Sequence, residues 1–277
     1  MIQKLKNIAK IVAGIENQDL ILSDQLQIPL KEATRLRKKA DEKNRTSVLF
    51  GSNILTTNNF WYLHSLKEIF LDEVYRFKTN NKQPRIIDCG ANIGLSLVYF
   101  HRNYPGSNLI AFESDPYIFN ILEENTKTFK INNATLWNYA VWNEESTLEF
   151  NSSGDLGGSL MKSSTHPGNT LSYLVKSIRL KDYLNEPTDM LKLDIEGAEV
   201  IVLRDIRDSL DMVSNIFIEY HSSPDKEQEL DEIITILKYA GYRIYIKEAW
   251  NNMQHPFMHS TYKPYWDLQL NIFGYRP

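Results

Sequence analysis

The sequence predicts an α/β protein, a mostly parallel sheet with helices on both faces, preceded by an N-terminal helical extension. Three observations predict it. From Arg85 onward, apolar runs of strand length alternate with segments of helical periodicity, the pattern of βα units. The run Ile86-Ile87-Asp88-Cys89-Gly90-Ala91-Asn92-Ile93-Gly94-Leu95-Ser96 reads as a buried strand, a glycine-bearing turn and a helix start. A chain of 277 residues with 42% hydrophobic content supports one large α/β domain.

Residues 1–50 read as an accessory helical segment and 51–277 as the main domain. In the first, Leu5, Ile8, Ala9 and Val12 share one helical face. Lys31–Arg45 then carries a basic excess in Arg35, Arg37, Lys38, Lys39, Lys43 and Arg45. That cluster fits a solvated helix face, or a docking surface for an anionic substrate or membrane headgroups. Arg85–Cys89 is expected as strand one and Gly94–Tyr104 as its helix. Asn108–Glu113 follows as strand two, and Pro116 opens a helix to about Lys130, proline being suited to a first turn. Thr135–Val141 is expected as strand three, Met190–Asp194 as strand four and Asn215–Tyr220 as strand five. Asp225–Ala240 has Leu230, Ile233, Ile234 and Leu237 on one helical face and Gly241 at its end. Arg243–Glu248 and Gln269–Tyr275 complete the strands. Between strands three and four, Thr147–Phe150, Ser159–Lys162 and Val175–Leu180 read as short strands. The loop Asn151–Ser159 among them fits a surface hairpin or a flap over a ligand.

The net charge of −4 argues against general nucleic-acid binding, which needs a basic surface. The single cysteine, Cys89, excludes an intrachain disulfide and fits a reducing compartment and a small buried residue. No apolar run is long enough to span a bilayer, and the N-terminus lacks a signal-peptide pattern. The expectation is a soluble, cytoplasmic protein.

In parallel sheets of this kind, ligands bind outside the carboxyl ends of the strands, near the switch point. Asp88 stands there, followed by Gly90 and Gly94, whose missing Cβ atoms would let a nucleotide-like ligand approach the backbone. A carboxylate at this place suits S-adenosylmethionine, which carries an ammonium beside a sulfonium; it would repel a pyrophosphate. Glu113, ending strand two, can accept both hydroxyls of a ribose, while Asp115 before Pro116 fits a helix-start acid. Strand four runs into Asp194 and Glu196, and strand five into Glu219 and His221, so these four are expected around one small volume. Two chemistries fit. His221 or Glu196 serves as general base, or carboxylates and the histidine hold a divalent metal, the less favoured choice. Glu199, inside the following helix, is expected to satisfy backbone or arginine partners such as Arg204. His64, His101, His166, His255 and His259 show no ligand spacing and are expected to be structural or on the surface.

Ile86–Ser96, Phe112-Glu113-Ser114-Asp115-Pro116, Leu191–Glu199 and Ile218-Glu219-Tyr220-His221 together resemble the FkbM family of S-adenosylmethionine-dependent methyltransferases. The resemblance covers about residues 85–275. It implies a class I methyltransferase fold, a Rossmann-like seven-stranded sheet whose last strand is antiparallel, and O-methylation of sugars or secondary metabolites. It implies that Asp88, Gly90, Asn92, Gly94 and Glu113 bind the cofactor, with their neighbours Ala91 and Ser114 placed beside them. Asp194, Glu196 and His221 would line the reacting centre. The expected partner is a small-molecule or saccharide acceptor. Trp61, Tyr62, Trp250, Tyr262, Tyr265 and Trp266 offer aromatic faces for sugar rings, or belong to the core. Two rivals compete. A nicotinamide-dependent oxidoreductase needs a glycine where Asn92 stands, and a non-catalytic scaffold would not need the acids on strands four and five.

Overall fold

The computed structural model describes residues 16–43, 46–152, 171–258 and 265–276. The chain begins with helices α1 (Asn17–Leu26) and α2 (Leu30–Lys38), a hairpin of β1 (Thr46–Leu49) and β2 (Ser52–Leu55), and helix α3 (Asn59–Leu66). Asn58 starts α3 by accepting from the backbone N–H groups of Phe60 and Trp61. A π-helical turn, Lys67–Leu71, continues it. Then come β3 (Arg85–Cys89), α4 (Leu95–Asn103), β4 (Asn108–Phe112), α5 (Pro116–Thr128) and β5 (Ala134–Trp137). Asp115 caps α5 through the N–H groups of Tyr117 and Ile118, with Pro116 in the first turn. After β6 (Ala140–Trp142), β7 (Thr147–Ser152) and β8 (Leu171–Arg179), the chain forms β9 (Thr188–Leu193), α6 (Glu199–Ile206), β10 (Val213–Ser222), α7 (Leu230–Tyr239), β11 (Arg243–Trp250) and β12 (Leu268–Tyr275).

The main sheet has seven strands in the order β11-β12-β10-β9-β3-β4-β5. β4, β3, β9 and β10 run parallel, and β12 is antiparallel to both β10 and β11. This is the class I methyltransferase arrangement, Rossmann-like, with the reversed strand last in sequence. β3 and β9 are buried on both faces and read as apolar runs for that reason. Alternate residues feed two cores. Ile86, Leu109, Met190 and Phe217 face one side, with α4 and α5. Ile87, Leu191, Leu193, Ile216 and Ile218 face the other, with α6 and α7. The switch point lies between β3 and β9, where successive connections leave in opposite directions.

The expected third strand, Thr135–Val141, is in fact two. β5 ends at Trp137, and β6 belongs to a separate three-stranded sheet, β6-β8-β7. Asn138 causes the break: its amide donates to the carbonyls of Glu113 (2.8 Å) and Ser114 (3.2 Å) and turns the chain away from β4. The strand expected at Ser159–Lys162 and all but the first two residues of the Asn151–Ser159 loop lie outside the described residues. So do the Leu5–Val12 helical face and Tyr262.

The N-terminal helices join the core of the sheet: Leu22, Leu26, Ala33 and Leu36 share a hydrophobic cluster with Val98 and Phe100. The β1–β2 hairpin straddles the boundary drawn at residue 50. Much of the basic cluster on α2 is engaged internally. Arg37 reaches Asp19, which is fully buried, at 3.0 Å, and Arg35 holds Glu32 at 2.7 Å. Cys89 is a free, buried thiol, pushed up by burial in keeping with an inert core position. Among the described residues, no helix is long and apolar enough to cross a membrane.

Candidate active site

A cavity of about 620 Å³ opens at the carboxyl ends of the central strands, a size typical of small-molecule sites. Its floor is the turn after β3. Gly90 and Gly94 adopt φ of +88° and +89°, and Asn92, between them, +49°. The N–H groups of Gly90 and Ala91 both donate to the Phe112 carbonyl at 2.9 Å, tying the turn to the end of β4. The glycines are needed for a reason other than ligand access. A Cβ on Gly90 would stand 1.8 Å from the carbonyl oxygen of Asp194, and one on Gly94 would stand 2.8 Å from Cδ1 of Leu122. The chain's own atoms fill the space.

Glu113 fixes the next part of the wall. Its Oε2 accepts from Asn92 N–H (2.9 Å) and its Oε1 from Asp115 N–H (2.8 Å). Burial pushes the carboxyl up to about 7, against the pull of those two bonds. Gly90, Ala91, Asn92, Glu113 and Ser114 all line the cavity; Asp88 and Gly94 are not part of its wall.

Asp88 is fully buried and faces inward. It accepts the Ser96 hydroxyl on Oδ2, and its Oδ1 lies 3.1 Å from Nζ of Lys192. That ammonium also donates to the Gly90 carbonyl (2.7 Å) and stands 3.3 Å from Asp194. Burial alone would lower the Lys192 pKa; Asp88 and Asp194 outweigh it and hold the group well above its usual value. Lys192 lies within the strand expected at Met190–Asp194, and the sequence reading assigned it no role in the site. The β3–β9 register, which makes Asp88 and Lys192 partners, is not legible in either strand alone.

Asp194, Glu196, Glu219 and His221 do converge. Nε2 of His221 lies 3.6 Å from Glu196 and 3.5 Å from Glu219, and Nδ1 lies 3.2 Å from Glu199. Glu196 adopts φ of +57°, rare for a residue with a side chain, and Gly197 follows at +96°. Glu199 clamps this bend: its Oε1 accepts from the N–H groups of Ile195 (3.2 Å) and Gly197 (3.0 Å). It does not meet Arg204, which pairs with Glu229 just before α7 and Glu232 within it. The His221 ring is only 1% exposed and is not part of the cavity wall. Burial opposes its charge, but Glu196, Glu199 and Glu219 outweigh burial and hold it well above its usual value, so it is an imidazolium at neutral pH. The Glu196 carboxyl is pushed up to about 8, chiefly by burial with His221 opposing, and burial raises Glu219 as well. Ligand atoms of Asp194, Glu219 and His221 lie within 4.8 Å of one another. A metal there would have to displace the His221 proton.

The opposite wall joins aromatic residues that the sequence offered for sugar rings to a histidine expected to be structural or on the surface. Trp61 and His64 of α3, Glu68 of the π-helical turn, and Trp250 at the end of β11 all line the cavity. The rings of His64 and Trp250 are 5.2 Å apart, and those of Trp61 and Trp250 are 5.6 Å apart. Glu68 accepts from the Asn271 amide at 2.7 Å. Burial, then the charge of Glu219, pushes its carboxyl up to about 7. Burial, then Lys67, depresses His64 below its usual value. The i,i+4 spacing of His64 and Glu68 was the sequence signal for this pair. Tyr265 and Trp266 also line the cavity, and so does Tyr62, although it is 2% exposed, packs in the core and gives its hydroxyl to the Val48 carbonyl.

Residues 88–244 match a family model described as the methyltransferase FkbM domain. Methyltransferase 1 of Beauveria bassiana (strain ARSEF 2860) is 28% identical over 204 residues, covering 65% of this chain and 81% of that protein. Methyltransferase sdnD of Sordaria araneosa is 27% identical over 187 residues, covering 55% of this chain and 72% of that protein. Among solved structures, methyltransferase FkbM from Methylobacillus flagellatus KT aligns with a TM-score of 0.45 at 16% identity, over 95% of this chain and 60% of that one. This chain thus spans less than two thirds of that protein.

Proposed function

We propose that this chain, which belongs to the methyltransferase FkbM domain family, transfers the methyl group of S-adenosylmethionine to a hydroxyl of a small-molecule acceptor, a sugar or a secondary metabolite. The observation that carries the reading is the donor set of the cavity. Glu113 closes β4 beside the glycine turn, and Asp194, Glu196 and Glu219 face the same space. A sulfonium and an ammonium fit carboxylates; a pyrophosphate does not. This argues against a nicotinamide cofactor and equally against a phosphodiester substrate.

When bound, the cofactor supplies a methyl group already activated by the sulfonium. The protein's task is to hold, orient and exclude water. In this reading Glu113, fixed by two backbone donors, takes the ribose hydroxyls, and Gly90, Ala91, Asn92 and Ser114 flank the adenosyl moiety. Asp88 acts from behind: with Ser96 and Lys192 it holds the turn rather than the ligand. Gly94 lets α4 start against α5. Asp194 and Glu196 line the reacting centre, and His221 acts as the buried cation that keeps neighbouring carboxylates together. Lys192 and His221 bring positive charge to the place where a divalent ion would otherwise sit, which supports a reaction without metal.

Calorimetry on the full chain tests the cofactor assignment. S-Adenosylhomocysteine should bind, NAD should not, and Glu113→Ala should weaken the first. A preference for NAD would overturn the reading.

A further inference from the structure

We propose that His64 is the base that takes the acceptor's proton, with Glu68 as its positioning partner and Asn271 holding Glu68. This rests on the methyl-transfer reading above and names its proton acceptor, a role for which the sequence offered His221 or Glu196.

The choice follows from which wall groups are already neutralised. Asp194 stands 3.3 Å from the Lys192 ammonium. Glu196 and Glu219 stand 3.6 Å and 3.5 Å from the His221 imidazolium, and His221 has a carboxylate at each ring nitrogen. A proton placed on Asp194 or Glu219 must displace an existing ion pair, and the Glu196 carboxyl, pushed up to about 8, already holds a proton at neutral pH. His64 and Glu68 differ. Both line the cavity, Nε2 of His64 lies 3.9 Å from Oε2 of Glu68, and the other Glu68 oxygen is held by a neutral amide, that of Asn271. This is a base oriented by a carboxylate that is itself oriented by a third group. The separation is longer than a hydrogen bond, as is usual before a ligand closes the site. Glu68 sits on a π-helical turn, a feature that concentrates at functional sites.

His64 is also in the right state. Burial and the charge of Lys67 keep it neutral near pH 7, with Asp72 opposing. The other charges bear on it through Glu68: Asp194 and Lys192 from β9 and Glu219 from β10. β12 contributes Asn271, and β11 contributes the uncharged Trp250. Trp61 and Trp250 pack edgewise on the imidazole ring and would lay an acceptor ring beside it.

With the Nε2 proton directed at Glu68, the lone pair is on Nδ1. The acceptor hydroxyl gives its proton to Nδ1 as the new C–O bond forms. The S–C bond breaks with its electron pair left on sulfur, which becomes a neutral thioether. The imidazolium so formed faces Glu68 and returns its proton to solvent.

The test has two readouts on the full chain. NMR titration of the His64 ring with S-adenosylhomocysteine bound should give a pKa below the usual 6.5, and Glu68→Gln should lower it further. A ring still protonated at pH 7.5, or one indifferent to Glu68→Gln, overturns the pair. Release of S-adenosylhomocysteine from S-adenosylmethionine is then followed with glycerol and methyl α-glucopyranoside as hydroxyl probes. His64→Ala should slow it roughly 10²–10⁴-fold, abolish the acidic limb of the pH profile, leave S-adenosylhomocysteine affinity unchanged and respond to added imidazole. His64→Ala with undiminished turnover and the wild-type pH profile overturns the proposal. A wild type that turns over with neither probe counts against the hydroxyl-acceptor reading, and the titration still judges the His64–Glu68 pair by itself.

Discussion

Gly90→Ala and Gly94→Ala impose the same conformational demand and meet different obstacles. Both positions have φ near +89°, at +88° and +89°, so an added Cβ costs each about 1–2 kcal/mol in backbone strain. At Gly94 the nearest obstacle is Cδ1 of Leu122, 2.8 Å away and at the end of a side chain that can rotate. At Gly90 it is the Asp194 carbonyl, with oxygen at 1.8 Å and carbon at 2.9 Å. A carbon–oxygen contact settles near about 3.3 Å, so the ends of β3 and β9 must part. Two bonds cross that gap: Asp194 N–H to the Cys89 carbonyl at 3.1 Å, and Lys192 Nζ to the Gly90 carbonyl at 2.7 Å. A neutral bond contributes about 0.5–1.5 kcal/mol and a charged one about 1.5–3 kcal/mol. Gly90→Ala should therefore destabilise by about 3–6 kcal/mol and Gly94→Ala by about 1–3 kcal/mol. The first loss is a large part of a typical domain's stability. Urea unfolding with unchanged m-values measures both, and calorimetry with S-adenosylhomocysteine shows whether Gly90→Ala also weakens binding by moving Asp194. Equal losses for the two variants would refute the close approach of β3 and β9.

Lys192→Met should cost about 3–5 kcal/mol, because it leaves the buried Asp88 carboxylate without its cation. Adding Asp88→Asn should recover part of that loss; strictly additive urea-unfolding energies would show that the two groups are not coupled. Stability should fall as pH rises from about 6 to about 8.5. The carboxyls of Glu68 and Glu113 near 7, and of Glu196 near 8, lie above the usual 4.5, so the folded chain holds protons that the unfolded chain has lost, up to about pH 7 on the first two and about pH 8 on the third. His221, raised above 6.5, adds to the same slope, and the depressed His64 opposes it only toward the acid side. Each proton so held contributes about 1.4 kcal/mol per pH unit to the decline. A thermal midpoint that climbs between pH 6 and 8.5 contradicts the assignment, and Glu196→Gln should flatten the upper half of the curve.

What the sequence showed, and what it hid, follows from how far apart the determinants lie. β3, β4, β9 and β10 were visible because a parallel strand buried on both faces is an apolar run in its own residues. The start of α5 was visible because Asp115 and Pro116 act within one turn. The break after β5 was not, because Asn138 makes it by bonding to carbonyls more than twenty residues earlier. Asp88 was placed at the right end of the right strand, but which way its side chain turns is decided by Lys192 on the neighbouring strand. The same holds for His221. The sequence brought it to the acids of strand four, and its charge is held by Glu196 together with Glu199 at the start of α6, which also clamps the bend at Glu196. The cavity wall is acidic because two buried cations stand behind it, Lys192 holding Asp88 and Asp194 from one side and His221 holding Glu196, Glu199 and Glu219 from the other. Without them so many carboxyl groups in one small volume would repel one another, and even with them burial pushes Glu113 up to about 7 and Glu196 to about 8. The Lys192 and His221 positions are thus as much part of the site as the acids that a ligand would meet.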